Sequence, residues 1–437
     1  MITAITNARI FDGEKVIGAT TVLIEGEKIV SVGGEIPEDA TIIEANGGTL
    51  LPGLIDAHVH TSIEGLRDAL KFGVTTELEM MGGFTRNGRE TQLKGVDDIA
   101  DVRSAGMGVT PPGGHPDELM PGDGEIPDFV LKELERMSEE DRNAMLAAHA
   151  HAHGEAPSVT SREEALAFVS EQVRQGADYI KIMIEEGTVM AAPGLPVLSQ
   201  EILRAAVEEA HRHGKIAIAH VLTAESAQQA IEVGVEGLAH LFIDRPDTTS
   251  ELVSMIADAN AFVTPCLVLN SSIIGNPASR LAQDPRVSAK LSPEWIDTLN
   301  ASFHTYPQGS MEDNYRNVMD LHRAGVDILV GTDVSVPVPT LGGLAHGASV
   351  HHEMQLLVEA GFTPVEALQS ATSKTARRFG LDDRGWIVEG ARADLVLVEG
   401  DPTTHISDTL SILEVWQRGE RKLKSGDHVR TIPEHTS

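Results

Sequence analysis

Residues 51–60, LPGLIDAHVH, run an apolar stretch directly into Asp56, His58 and His60 at alternating positions. Alternate side chains of a β-strand point to one face, so the two imidazoles would project together from one strand end. Neutral imidazoles so paired make half of a metal site. Two histidines with ordinary hydrogen-bond partners can also lie in a strand, and His-x-His alone does not decide between these. Other strands must bring matching groups. DYIKIMI brings Lys181 inside a β-branched run, IAIAH brings His220, EGLAH brings His240 and DILVGTD brings Asp333. Each lies at or near the C-terminal end of its apolar run. Singly, each has a bland explanation: a lysine that snorkels, a satisfied core histidine. Jointly they would have five strands bury a titratable group at the same end, at a cost on the order of several kcal/mol apiece unless paired or metal-bound.

The elements that must position these groups repeat a simple unit. GVTTELEMMGG (73–83) reads as a strand ending in glycines, and DDIADVRSAGMGVTPPGGH (97–115) as a helix leading into strand and loop. Residues 162–184, 200–221, 224–242, 255–269 and 318–334 each run helix, glycine or turn, then a continuous apolar strand. That is the pattern of a buried parallel sheet made by βαβ crossovers. Roughly eight such strands between residues 54 and 334 point to an α/β fold, a (β/α)8 barrel, in which catalytic groups gather at the C-terminal strand ends. Residues 1–55 read as short β-branched strands separated by turns, and 384–437 return to that texture. We therefore expect residues 56–383 to form the barrel, with 1–55 and 384–437 pairing into one small β-sandwich-like domain. Two stretches, 117–153 and 271–310, fit less neatly and read as insertions on barrel loops. A last helix is expected over 351–380.

Composition narrows the partners. Net charge is −32, from 66 acidic against 34 basic residues, which argues against nucleic acid and anionic membrane. No run reaches the ~18 apolar residues of a spanning helix. The N-terminus reads as alternating strand residues rather than a signal peptide, giving a cytoplasmic expectation. The single cysteine, Cys266, excludes an intrachain disulfide and a thiolate-rich metal site; it reads as a small core residue inside a strand.

Taken together, LPGLIDAHVH, GVTT, GADYIKIM, AIAH, GLAH, GTD and EGARADLVLVEGDP resemble the amidohydrolase superfamily over nearly the whole chain. More narrowly they are similar to its prolidase and carboxypeptidase-like branch, which includes xenobiotic amide and urea hydrolases. The resemblance implies a distorted TIM barrel holding two divalent metal ions, usually zinc (Zn2+), bridged by a lysine carboxylated by CO2. Lys181 falls where that lysine stands; a carbamate offers two oxygens, whereas an ammonium binds neither ion. By the same resemblance His58, His60 and Asp333 hold one metal, and His220 and His240 the other. A water between two cations is acidified toward neutral pH, and Asp333 would move its proton to the leaving nitrogen of an amide, carbamate or urea. A small-molecule substrate and a homo-oligomer are expected.

Departures from the family pattern bear on substrate. Leu222 stands where peptidase-like relatives tend to have a tyrosine, Glu185-Glu186-Gly187 replaces a small Thr-Gly-Gly loop, and Glu77-Leu78-Glu79 replaces Arg-Asp. Losing a hydroxyl and a guanidinium while gaining carboxylates favours neutral or cationic substrates over those ending in a free carboxylate. His115 in PPGGHPDEL matches a loop histidine that contacts substrate in relatives, and His346 is a second candidate facing the site. His351 and His352 read as helix-start surface residues, and the His149, His151, His153 run as an exposed loop, a lid or a further metal patch. Three alternatives stand beside the binuclear hydrolase: a dipeptidase or carboxypeptidase, a mononuclear deaminase, and a non-catalytic scaffold. Lys181 argues against the deaminase, and the full set of six ligand residues against the scaffold.

Overall fold

A computed structural model describes residues 2–119 and 159–423 of the chain. The repeated units fold as parallel strands between helices. Strands Leu54–Val59, Val74–Glu79 and Asp101–Ser104 form one parallel sheet; Ile180–Met183, Ala217–His220, Gly237–Ala239 and Phe262–Thr264 form another. Residues 328–334 reach both sheets, through parallel bridges Val263 to Ile328 and Val59 to Val334, while Val109 bridges Ile182 at the other seam. The result is a TIM-barrel-like α/β arrangement. One apolar cluster draws on every one of these positions: Ile55, Leu78, Ala105, Tyr179, Ile218, Ala239, Phe262 and Leu329, with Ala376 and Leu381 beneath. Inward-facing side chains filling the ring are what a barrel interior requires.

Local chemistry sets the helix boundaries. Ser161, Ser199 and Thr223 each accept a hydrogen bond from a first-turn amide, capping Arg162–Arg174, Gln200–Arg212 and Ala224–Val233. Gly234, at φ 95°, ends the last of these in the left-handed region that favours glycine.

Several expectations change. No helix covers 97–100: the Ala100 amide donates to the Leu66 carbonyl, so the segment is tied to a neighbour instead of its own turn. The helix lies earlier, at Arg86–Gln92. The eighth position is not a regular strand, because Asp333 (φ 60°) breaks the extended run. About half of residues 271–310 are helical. Asp284-Pro285 and Ser292-Pro293 start two short helices, each with a capping side chain and proline in the first turn. The helix expected over 351–380 is three, Ala348–Ala360, Pro364–Ser370 and Ser373–Arg378, divided by Gly361 and the Thr363/Glu366 capping box. Of the 117–153 stretch only Asp117–Leu119 lies within the described residues; the rest of it, including the His149, His151, His153 run, lies outside them.

The chain ends meet. Strand Leu395–Val398 pairs antiparallel with Thr49–Pro52, inside a six-stranded sheet that also holds Arg9–Phe11, Ile412–Gln417 and Glu420–Leu423. Ile10, Leu50, Leu395 and Trp416 of this sheet share a core with Ile5 and Ile24 of a second, four-stranded sheet, separate from the larger apolar cluster among the parallel strands and helices.

Candidate metal centre

Lys181 and His220 stand two residues beyond Tyr179 and Ile218 of the interior cluster, so strand alternation aims them above it. The neighbouring ends bring His58, His60, His240 and Asp333 to the same place. His58 Nε2 and His60 Nε2 lie 3.0 and 3.1 Å from Asp333 Oδ1, and His240 Nε2 lies 3.9 Å from Asp333 Oδ2. The His58 and His240 rings stack at 4.6 Å between centroids, and His220 meets His240 edge-on at 4.9 Å. Gly331 permits this closeness: a Cβ there would sit 3.0 Å from both Cβ and N of His58 and run into Thr264.

Polar atoms that converge usually pair with one another. Here they do not. Both ring nitrogens of His58, Nε2 of His220, Nδ1 of His240 and Oδ1 of Asp333 are buried with no hydrogen-bond partner among the described residues. Buried polar atoms are rarely left so. Charge states suit electron-pair donors. Burial pushes His58 down to about 3 and both His220 and His240 well below the usual imidazole range. Burial would raise Asp333, but contact with His240 and His58 outweighs it and holds the carboxyl well below its ordinary value. His60 Nδ1 lies 3.2 Å from the Met81 carbonyl; donating its proton there leaves Nε2 as the donor pair. His58, His60 and Asp333 therefore fit one divalent cation, with imidazole and carboxylate donors of the kind zinc takes. Lys181 is buried, which pulls it down to about 8, closer to the neutral amine than an exposed lysine.

Asp56 anchors the site from below. Its Oδ1 accepts from the His58 and Thr332 amides and its Oδ2 from Thr332 Oγ1 at 2.7 Å, tying the first position to the eighth. The sequence reading noted Asp56 beside the histidines but gave it no task. Nor did it find Cys266 there. Cys266 lies beyond strand Phe262–Thr264, not in it, because Pro265 has no amide to continue the ladder; its Sγ approaches His58 and His240.

The substrate candidates divide. His115 lies tilted against His220, 4.2 Å between centroids, with its Nδ1 2.5 Å from Glu118 Oε1. Glu185 Oε2 lies 3.4 Å from His220 Nε2, and this oxygen and Glu118 Oε2 are buried without a hydrogen-bond partner among the described residues. Leu222 is wholly buried in the main apolar cluster. His346 does not face the site openly; it is buried, with Nδ1 3.1 Å from Glu77 Oε1 and Nε2 3.1 Å from the Ser335 carbonyl. Glu77 thereby has a buried imidazole partner whose pKa it raises, and Glu79 accepts from Ser104 Oγ and the Phe84 amide. Neither is the free, repelling carboxylate the sequence suggested. His351 is also no surface residue: its nitrogens meet Thr409 Oγ1 and the Phe72 carbonyl, both at 2.9 Å, and His352 is half-buried.

The fold has known counterparts. An uncharacterized protein of Mycobacterium tuberculosis is 25% identical over 369 residues, 82% of this chain and 80% of that protein. The structure of a Xaa-Pro dipeptidase with bound methionine superposes with a TM-score of 0.69 at 23% identity, covering 96% of this chain and 99% of that one. Phenylurea hydrolase B superposes with a TM-score of 0.69 at 24% identity, covering 96% of each chain. The model of the amidohydrolase family matches residues 49–422, and the chain belongs to that family, as a hydrolase acting on carbon–nitrogen bonds.

Proposed function

We propose that this chain is a binuclear metal-dependent amidohydrolase that cleaves the amide-type bond of a small molecule, an amide, carbamate or urea. The observation that carries the reading is the set of buried, unpartnered donor atoms of His58, His220, His240 and Asp333 at one end of the parallel strands. His58, His60 and Asp333 would hold one cation and His220 and His240 the other, with carboxylated Lys181 between them; zinc suits these donors. A bound pair supplies Lewis acidity and lowers the pKa of water. Asp333, held as a carboxylate, takes the proton of the attacking water and delivers it to the leaving nitrogen, so that hydroxyl joins the acyl carbon and hydrogen the amine. We further read the strand positions as a closed, distorted (β/α)8 barrel over 56–383, with 1–55 and 384–437 as the flanking β-domain. A cytoplasmic homo-oligomer completes the proposal.

For substrate, the support has shifted to Glu185 and Glu118. Their unpartnered oxygens beside His220 and His115 favour a neutral or cationic group over a carboxylate. Arg67, a possible carboxylate reader, is already engaged by Asp98 and Glu64. The peptidase reading is therefore second. Assaying zinc-loaded protein against N-acyl amino acids, dipeptides, phenylureas and carbamates tests both. Turnover of none of the four classes would sink the proposal.

A further inference from the structure

Cys266 has no part in the chemistry above, yet its Sγ and a ring nitrogen from each of His58 and His240 lie within 4.8 Å of one another, all three residues buried. A lone buried thiol is ordinarily inert packing. Two features separate this one. First, the imidazoles beside it carry unpartnered nitrogens: both of His58, and Nδ1 of His240. Second, Cys266 sits at φ 48°, ψ 52°, a left-handed conformation that costs a non-glycine residue energy. Capping does not explain it. Cys266 precedes helix Leu267–Ile274 without a side-chain cap bond, and the first amides, Leu267 and Val268, donate instead to the two carboxylate oxygens of Glu353, 2.9 and 2.8 Å away. Glu353 thus fixes the turn that points the thiol at the histidines.

We propose that His58, His240 and Cys266 form a thiol-containing subsite that selects thiophilic divalent cations, sharing His58 with the donor set of His60 and Asp333 and His240 with that of His220. Two imidazoles and a thiolate suit zinc, cobalt(II) and cadmium and discriminate against magnesium and manganese(II), which prefer oxygen. Binding exchanges the thiol proton for the metal–sulfur bond, and the proton leaves to solvent. A soft cation seated here takes up both His58 and His240, so cadmium competes with the arrangement that the proposed reaction needs. The inference rests on the metal-centre reading above but is separable from it.

The test uses the full chain, depleted of metal and titrated with cobalt(II). Bound cobalt gives visible ligand-field bands, and a cobalt–thiolate bond adds an intense near-ultraviolet charge-transfer band. As the chain has one cysteine, that band can arise only from Cys266. We expect both sets of bands in the parent protein. Cys266→Ser and Cys266→Ala should keep the visible bands and lose the ultraviolet one. In chelator competition, the same substitutions should weaken cadmium binding tenfold or more and leave manganese within twofold. Visible bands without a charge-transfer band in the unaltered protein would overturn the Cys266 inference alone. No cobalt bound at all would overturn the metal-centre reading and this inference with it.

Discussion

Glu77→Gln probes the buried pair that holds the segment after Asp333 against the second strand. His346 meets an acceptor at each nitrogen, the Glu77 carboxylate and the Ser335 carbonyl, each at 3.1 Å. Both nitrogens must donate, so the ring is an imidazolium balanced by Glu77. At that separation the attraction is about 5 kcal/mol with an effective dielectric near 20. Against it stands the desolvation of two groups, 1% and 0% exposed, and the second Glu77 oxygen has no hydrogen-bond partner among the described residues. Breaking such a pair from one side costs about 3–5 kcal/mol, and the low end applies because an imidazolium can release its proton. We therefore expect Glu77→Gln to lower unfolding stability by about 3 kcal/mol at pH 6, read by denaturant titration of the metal-free chain. Burial opposes charge on His346, but Glu77 outweighs it and raises its pKa. The contribution is then complete below the unfolded value of 6.5 and is lost as pH rises through the folded one. The gap between variant and parent should narrow from pH 6 to pH 9. A loss under about 1 kcal/mol, or a gap independent of pH, would refute the imidazolium assignment.

Three further outcomes are expected. Lys181→Ala should abolish turnover, with partial recovery by short carboxylic acids and bicarbonate; near-normal activity in the variant would end the carbamate proposal. Gly331→Ala should cost about 1–3 kcal/mol of stability by overpacking against Thr264 and His58, and should also weaken zinc binding because His58 must move. A substitution neutral for both would mean the close approach is not needed. On substrate charge, one acyl scaffold measured as free acid and as its amide-capped form should give the higher kcat/KM for the capped form. A tenfold advantage for the free acid, about 1.4 kcal/mol in transition-state binding, would restore the peptidase reading.

Much of the site was legible because it follows local rules. Apolar runs after glycine announce buried parallel strands; His58, His60, His220 and His240 lie at or just beyond strand ends, while Lys181 is the second residue of Ile180–Met183. Asp333 was found although its strand is irregular, because the Gly-Thr-Asp turn still ends an apolar run. What the sequence hid were pairings between distant residues. Glu77 meets His346 across 269 positions, and Asp56 meets Thr332 across 276. No periodicity reports such contacts, so Glu77 read as an uncompensated charge. Cys266 is the buried core residue expected, but its placement inside a strand was wrong for a local reason that could have been seen, since Pro265 before it ends the strand. Prolines at 285 and 293 after Asp and Ser likewise announced helices in a stretch read only as an insertion on a barrel loop.

The most direct test of the central claim is elemental analysis of the purified chain together with the mass and electron density of residue 181. The account predicts close to two divalent ions per chain and a carboxylated Lys181 lying between them. One ion per chain with Lys181 unmodified would contradict it and move the reading to a mononuclear enzyme.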